Sequence, residues 1–74
     1  MKRALTPDEV RERAEDRWFS MADLEAELTL HRASIYRLIE RGKLPEGAKI
    51  YGTRKVWFER DVRALKHALC EQAA

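Results

Sequence analysis

The chain has 74 residues, of which 45% are hydrophobic and 38% are charged. This composition is typical of one small folded domain with a modest core, and it excludes a disordered polar chain. The single cysteine, Cys70, excludes an intramolecular disulfide and a cysteine-rich metal site. A free thiol suits a reducing cytoplasm, and no apolar run resembles a secretory signal or a membrane span.

The charged residues are unevenly distributed along the chain. The formal net charge is only +2, yet residues 31–60 contain eight lysines and arginines against three acids. Residues 21–30 contain three acids and no basic residue. Such clustering predicts a phosphate-facing surface, with a solvated basic face as the simpler alternative.

The first predicted element is a helix that begins after Thr6. A capping hydroxyl at Thr6 is followed by a proline and, two positions later, by a glutamate. We expect this helix to run from Pro7 to about Asp16. Its apolar content is thin, so residues 1–17 are predicted to be a helical appendage, packed on the main domain of residues 18–74 or on a partner.

Two short helices are predicted next, joined by three residues. A serine cap at Ser20 starts the first, which ends near Leu28, and the second begins at Arg32 and is stopped by Gly42. The second helix has an aliphatic side and a mostly basic side. This arrangement predicts a helix-turn-helix whose second helix enters the major groove of DNA.

A β-hairpin is predicted after the second of these helices. The runs 48–51 and 55–58 are rich in β-branched and aromatic residues, and a three-residue link containing glycine separates them. The predicted tip of the hairpin carries Arg54 and Lys55. A hairpin with a basic tip in this position is a wing that can touch phosphates or reach into a minor groove.

The last predicted element is a closing helix from about Glu59, with Val62, Leu65 and Leu69 on one face. The fold class is therefore mainly α with a small β-hairpin, a winged helix-turn-helix with an extra N-terminal helix.

Aromatic residues in strand and helix-entry patterns usually belong to a core rather than stacking on bases. We therefore interpret Trp57, Phe58 and Tyr51 as core residues. Trp18 is expected to pack against the N-terminal helix or a partner.

From Trp18 to about Leu69 the sequence resembles the AlpA and phage-excisionase group of small winged-helix proteins, which are related to the MerR DNA-binding domain. The resemblance rests on the run from Leu30 to Ile39, the stretch from Arg41 to Pro45, and the five-residue spacing between Trp57 and Val62. The group typically has a glycine in the turn and a serine cap on the recognition helix, where this chain has Thr29 and His31. Its tryptophan in the closing helix is replaced here by Leu65.

The resemblance implies a DNA-binding protein of a mobile element. Some members direct a recombinase toward excision by bending DNA and assembling on repeated sites, and others regulate promoters. The same fold serves in small terminase subunits, which start DNA packaging. An integrase partner and self-association as a dimer or filament are therefore expectations, and the sequence does not select among these roles.

Arg37 is the first candidate for a base-edge contact, because arginine can pair with two acceptors of guanine. Arg54 is the first candidate at the wing. The full set of predicted DNA-contacting residues is Arg32, Ala33, Ser34, Tyr36, Arg37, Arg41, Lys43, Thr53, Arg54 and Lys55. The alternative to DNA contact is, for each charged residue of this set, a side chain that is simply solvated. For Tyr36 the alternative is a ring that covers the edge of the core.

No catalytic motif, cofactor site or metal site is predicted. His31 and His67 are 36 positions apart, and His67 with Cys70 supplies two ligands at most, fewer than a zinc site needs. No paired carboxylates, serine-histidine pair or phosphate loop is found. Duplex DNA is thus the predicted partner. The alternative function is a protein-interaction module whose basic face binds an acidic protein.

Overall fold

Residues 1–73 are described by a computed structural model and form four helices and a three-stranded antiparallel sheet. The elements in chain order are α1 (Pro7–Glu12), β1 (Trp18–Phe19), α2 (Met21–Leu28), α3 (Arg32–Glu40), β2 (Ala48–Tyr51), β3 (Arg54–Phe58) and α4 (Glu59–Gln72). The predicted class, mainly helical with a small β-hairpin, is confirmed at this level. None of the helices in this part of the chain has the length and apolarity needed to cross a membrane.

Capping boxes start the first two helices, as the sequence predicts. The Thr6 hydroxyl accepts from the Glu9 backbone N–H at 3.2 Å, and the Ser20 hydroxyl accepts from Asp23 at 3.1 Å. The Asp23 carboxylate accepts in return from the Ser20 backbone N–H, and this hydrogen bond lowers the pKa of Asp23. Each box satisfies two backbone donors that a helix start leaves without partners.

Helix α1 ends at Glu12, so the predicted extension to about Asp16 is wrong. Beyond Glu12 the chain makes tight turns, and its side chains bind the start of α4. The Arg13 guanidinium donates to both carboxylate oxygens of Asp61 at 3.0 and 3.2 Å. Asp16 accepts from Arg60 at 2.8 and 3.0 Å, and the side-chain hydrogen bond from Arg60 lowers the pKa of Asp16. These tertiary contacts favour turning over continued helix.

The link between α2 and α3 turns without a glycine. Thr29 takes the left-handed conformation at φ 54°, which costs a residue with a Cβ about 1 to 2 kcal/mol. His31 caps α3, since its Nδ1 accepts from the Ala33 backbone N–H at 3.0 Å. Glu25 of α2 accepts from the Arg32 backbone N–H at 3.1 Å. Helix α2 therefore holds the N-terminus of α3 directly.

The predicted glycine stop of α3 is confirmed at Gly42. The N–H groups of Lys43 and Gly42 donate to the carbonyls of Leu38 and Ile39 at 2.9 and 3.0 Å, which is the Schellman pattern of helix termination. Gly42 has φ 74°, and a Cβ there would lie 2.5 Å from the backbone oxygen of Met1. The residue must be glycine both for its conformation and for this close approach.

Strand β3 is central in the sheet, with β1 on one side and β2 on the other. The sequence did not predict β1, which pairs Phe19 with Trp57. The predicted length of the hairpin turn, three residues, is also wrong, because Arg54 already belongs to β3 and pairs with Tyr51. The turn is left with two residues, and the extra residue on β2 is a bulge at Ile50.

The core lies between the sheet, α2, α3 and α4. Its buried members are Phe19, Leu24, Ile35, Ile39, Leu44, Trp57, Phe58, Val62 and Leu65. The prediction for Trp57 is confirmed, and its Nε1 donates to the Pro45 carbonyl at 2.9 Å. The prediction for Tyr51 is wrong: its side chain is 82% exposed, because it lies at the outer end of the hairpin, past the bulge.

Trp18 lies in β1 rather than in the N-terminal helix, and its assignment to a partner stays a prediction. It packs edge-on against Phe58, with ring centroids 6.3 Å apart. The pair joins the start of the sheet to the start of α4, and Trp18 stays 45% exposed. An aromatic pair of this geometry contributes about 0.5 to 1.5 kcal/mol beyond the area it buries.

Candidate nucleic-acid interface

Helix α3 has one face that is exposed in the described part of the chain, residues 1–73. Its aliphatic side is buried through Ile35 and Ile39, while the opposite side carries Ala33 and Arg37, both exposed. Nine residues at 1.5 Å of rise give the helix a length of about 13 Å. The free face is therefore a rod about as long as the major groove of DNA is wide.

Most basic side chains elsewhere in the chain are neutralised by acids. Within residues 1–73, seven of the fifteen lysines and arginines form salt bridges. These seven are Lys2, Arg11, Arg13, Arg32, Arg60, Arg63 and Lys66. Two more have other partners, since Arg3 donates to the Gly42 carbonyl and Arg17 lies 4.6 Å from the centre of the Phe19 ring.

The other six basic side chains form no salt bridge and no hydrogen bond within residues 1–73. We call them the unpaired cations: Arg37, Arg41, Lys43, Lys49, Arg54 and Lys55. All six are exposed, and all lie in the second half of α3, the loop after it, and the β-hairpin. The positive charge that remains available is thus concentrated in residues 37–55 of the chain.

Two of the unpaired cations oppose each other on the hairpin. Lys49 of β2 and Lys55 of β3 are direct partners in the antiparallel register, so their side chains leave the same face of the sheet. Like charges placed opposite each other destabilise a strand pair by several tenths of a kcal/mol. A hairpin that tolerates this repulsion has a surface suited to a bound anion.

Helix α3 is bordered by a recess on each side. On the side of α4, Ser34, Arg37 and Arg41 line a hollow of about 300 Å³. On the side of the hairpin, Tyr36 and Lys55 line a smaller recess of about 70 Å³, which we call the notch. The free face of α3 and the hairpin are therefore neighbours on one continuous surface.

No family model matches the sequence, and no curated protein or solved structure is significantly similar to it. The chemistry of this surface follows from its own residues. It offers guanidinium and ammonium donors, with hydroxyls at Ser34, Tyr36 and Thr53, and such groups bind phosphates and the acceptor edges of bases.

The predicted site residues fall into three groups. The first group is exposed, and its side chains form no hydrogen bond or salt bridge among the described residues 1–73: Ala33, Tyr36, Arg37, Arg41, Lys43, Thr53, Arg54 and Lys55. Ser34 is half-buried. Arg32 is exposed but tied to Glu25, with the guanidinium nitrogen 3.4 Å from a carboxylate oxygen.

Lys49 is the member of the unpaired cations that the sequence did not single out. Its position opposite Lys55 depends on the strand register, which the bulge at Ile50 decides. An alternating strand pattern alone would leave its face ambiguous.

Within residues 1–73, no three histidine, cysteine, aspartate or glutamate side chains are grouped so that they could share a metal ion.

Proposed function

We propose that this chain is a winged helix-turn-helix protein that binds double-stranded DNA sequence-specifically and acts by binding rather than by catalysis. The observation that carries the proposal is that the six unpaired cations all lie between residues 37 and 55, whereas the remaining basic residues are paired or engaged. In this proposal α3 is the recognition helix and the hairpin is the wing.

Docking would place the free face of α3 in the major groove. Arg37 is central on that face and is the residue we propose for a bidentate contact with guanine. Arg41 and Lys43 would hold phosphates beside the end of the helix. Arg54 and Lys55 would contact the backbone or the neighbouring minor groove from the wing.

The resemblance of residues 18–69 to AlpA-like and excisionase-like proteins supports a more specific role. We propose that the target is a site of a mobile element, where the chain directs excision or controls a promoter in the cytoplasm. One such module buries only about 600 to 1,000 Å² of protein surface on DNA. Tight binding should therefore require a second copy or a partner on an adjacent site.

The proposal is tested with a duplex selected from random sequence and with two single variants. Arg37→Ala should reduce the preference for the selected site by about 1 to 3 kcal/mol at one base pair, because it removes a base-edge contact. Arg54→Ala should weaken binding to all sequences alike, because a phosphate contact carries no sequence information. Fluorescence anisotropy with selected and scrambled duplexes measures both effects.

An interaction module that grips an acidic protein would give a different result. Selection from random duplexes would then yield no preferred sequence, and neither substitution would change DNA binding at physiological salt. Arg63→Ala is the matched control, since Arg63 is an exposed arginine on α4 that is paired with Glu59. It should leave both affinity and preference unchanged.

A further inference from the structure

The first five residues form an arm that is docked beside the end of α3. The Arg3 carbonyl accepts from the Glu46 backbone N–H at 2.8 Å, and the Arg3 Nε donates to the Gly42 carbonyl at 3.1 Å. The backbone oxygen of Met1 lies where a side chain at residue 42 would have to be. The arm is therefore fixed across the loop that joins α3 to the hairpin.

This docking places Lys2 in the notch between α3 and the hairpin. The notch is lined by Lys2, Tyr36, Glu40, Glu46, Lys55 and Trp57. The Lys2 Nζ lies 3.3 Å from a carboxylate oxygen of Glu40, and both side chains are at least half exposed. The notch thus brings together two lysines, one tyrosine and two glutamates, Glu40 and Glu46.

Glu40 is the single acid of α3, and it lies on the same exposed side as Arg37. A free carboxylate there would repel a nearby phosphate. The salt bridge with Lys2 offsets that charge, and an ammonium group with three donors keeps two for another acceptor. The arm therefore removes an obstacle to anion binding and leaves donors available in the notch.

We propose that the notch is a phosphate site, in which Lys2 of the arm and Lys55 of the hairpin hold one phosphate of the DNA backbone. The inference rests on the proposed function. If α3 occupies a major groove and the hairpin tip reaches the adjacent minor groove, the strand that separates the two grooves crosses the notch. The arm is then a third element of the DNA interface, beside the recognition helix and the wing.

The first test compares Lys2→Ala with Lys66→Ala in salt titrations of duplex binding. Lys66 is a matched control because it is also a partly exposed lysine paired with a glutamate, on α4. Lys2→Ala should weaken binding roughly two- to fivefold and lower the slope of log affinity against log salt by about 1. Lys66→Ala should change neither quantity.

A second test separates phosphate binding from simple masking of Glu40. Lys2→Ala is repeated in a Glu40→Gln background, where no carboxylate remains to be masked. A persistent loss of affinity supports the phosphate contact, and a loss that disappears overturns it. Replacing the phosphate that is proposed to lie in the notch with an uncharged methylphosphonate should weaken DNA binding by the unaltered protein. The same replacement should not change DNA binding by a Lys2→Ala, Lys55→Ala double variant.

Failure of this inference can be told from failure of the proposed function. If Lys2→Ala behaves like Lys66→Ala while Arg37→Ala still weakens binding, the notch holds no phosphate and the recognition helix stands. If the unaltered protein binds no duplex at physiological salt, both proposals are wrong. Thermal unfolding of Lys2→Ala should match the unaltered protein, because an exposed salt bridge contributes less than about 1 kcal/mol.

Discussion

Replacing Arg37, Arg41 and Arg54 together with alanine is expected to weaken binding to the selected duplex by two to three orders of magnitude. About 1 to 3 kcal/mol comes from one lost base contact, and the rest comes from lost phosphate contacts and fewer released counterions. None of the three side chains has a partner within residues 1–73, so their removal leaves no unpaired carboxylate behind. Fluorescence anisotropy at several salt concentrations measures the loss.

A control of equal charge makes this prediction specific to position. Replacing Arg11, Arg63 and Lys66 with alanine also removes three positive charges, but each of these residues is paired with a nearby acid outside the proposed interface. Fields of distant surface charges are screened beyond about 8 Å in physiological salt. The control variant should keep its affinity within about threefold. Equal losses in the two variants would mean that net charge alone governs binding.

The second large effect is on stability, at the contact between the N-terminal segment and α4. The Arg13 and Asp61 side chains are only 12% and 10% exposed, and Arg13 also donates to the Glu9 carbonyl at 3.0 Å. Removing one partner of a largely buried salt bridge leaves the other charge buried without a partner. Arg13→Ala should therefore lower the free energy of unfolding by about 2 to 3 kcal/mol.

For a domain of this size, such a loss corresponds to a fall in Tm of roughly 10 to 20 °C. Thermal unfolding followed by circular dichroism measures it, with Arg63→Ala as the control, because that exposed pair on α4 contributes only about 0.3 to 0.5 kcal/mol. A double variant, Arg13→Met with Asp61→Leu, should recover much of the stability, since it leaves no buried charge. An unchanged Tm for Arg13→Ala would mean that the N-terminal segment does not pack on α4.

Local signals explain which parts of the fold the sequence could predict. The capping boxes at Thr6 and Ser20 and the glycine stop at Gly42 involve residues three to five positions apart, so they can be recognised without tertiary information. The amphipathic face of α3 follows from helical spacing alone. These signals were sufficient for α2 and α3. The hairpin was predicted from its β-branched and aromatic residues, which did not give its turn length.

Contacts between distant residues explain what the sequence could not predict. Strand β1 has two residues, too few for an alternating pattern, and exists because Phe19 pairs with Trp57. Helix α1 stops early because Arg13 reaches Asp61 across 48 positions. Such long-range pairings override local helix propensity.

The same limit applies to the candidate interface. Arg37 and Arg60 look alike in the sequence, and only the three-dimensional pairing of charges separates the free arginine from the one bound to Asp16, 44 positions away. Lys2 was not predicted because its place in the notch depends on how the arm docks over Gly42. Composition gives the amount of basic charge, whereas folding decides which of it is available.

The most direct measurement is a map of backbone amide shifts in the isotope-labelled protein as the selected duplex is added at physiological salt. The largest changes should fall on α3 from Arg32 to Glu40, on the loop to Lys43, and on the hairpin turn from Gly52 to Lys55. The exposed side of α4 should change little. Changes concentrated on α1 and α4, or no changes at all, would contradict the proposal that the unpaired cations form the DNA-binding surface.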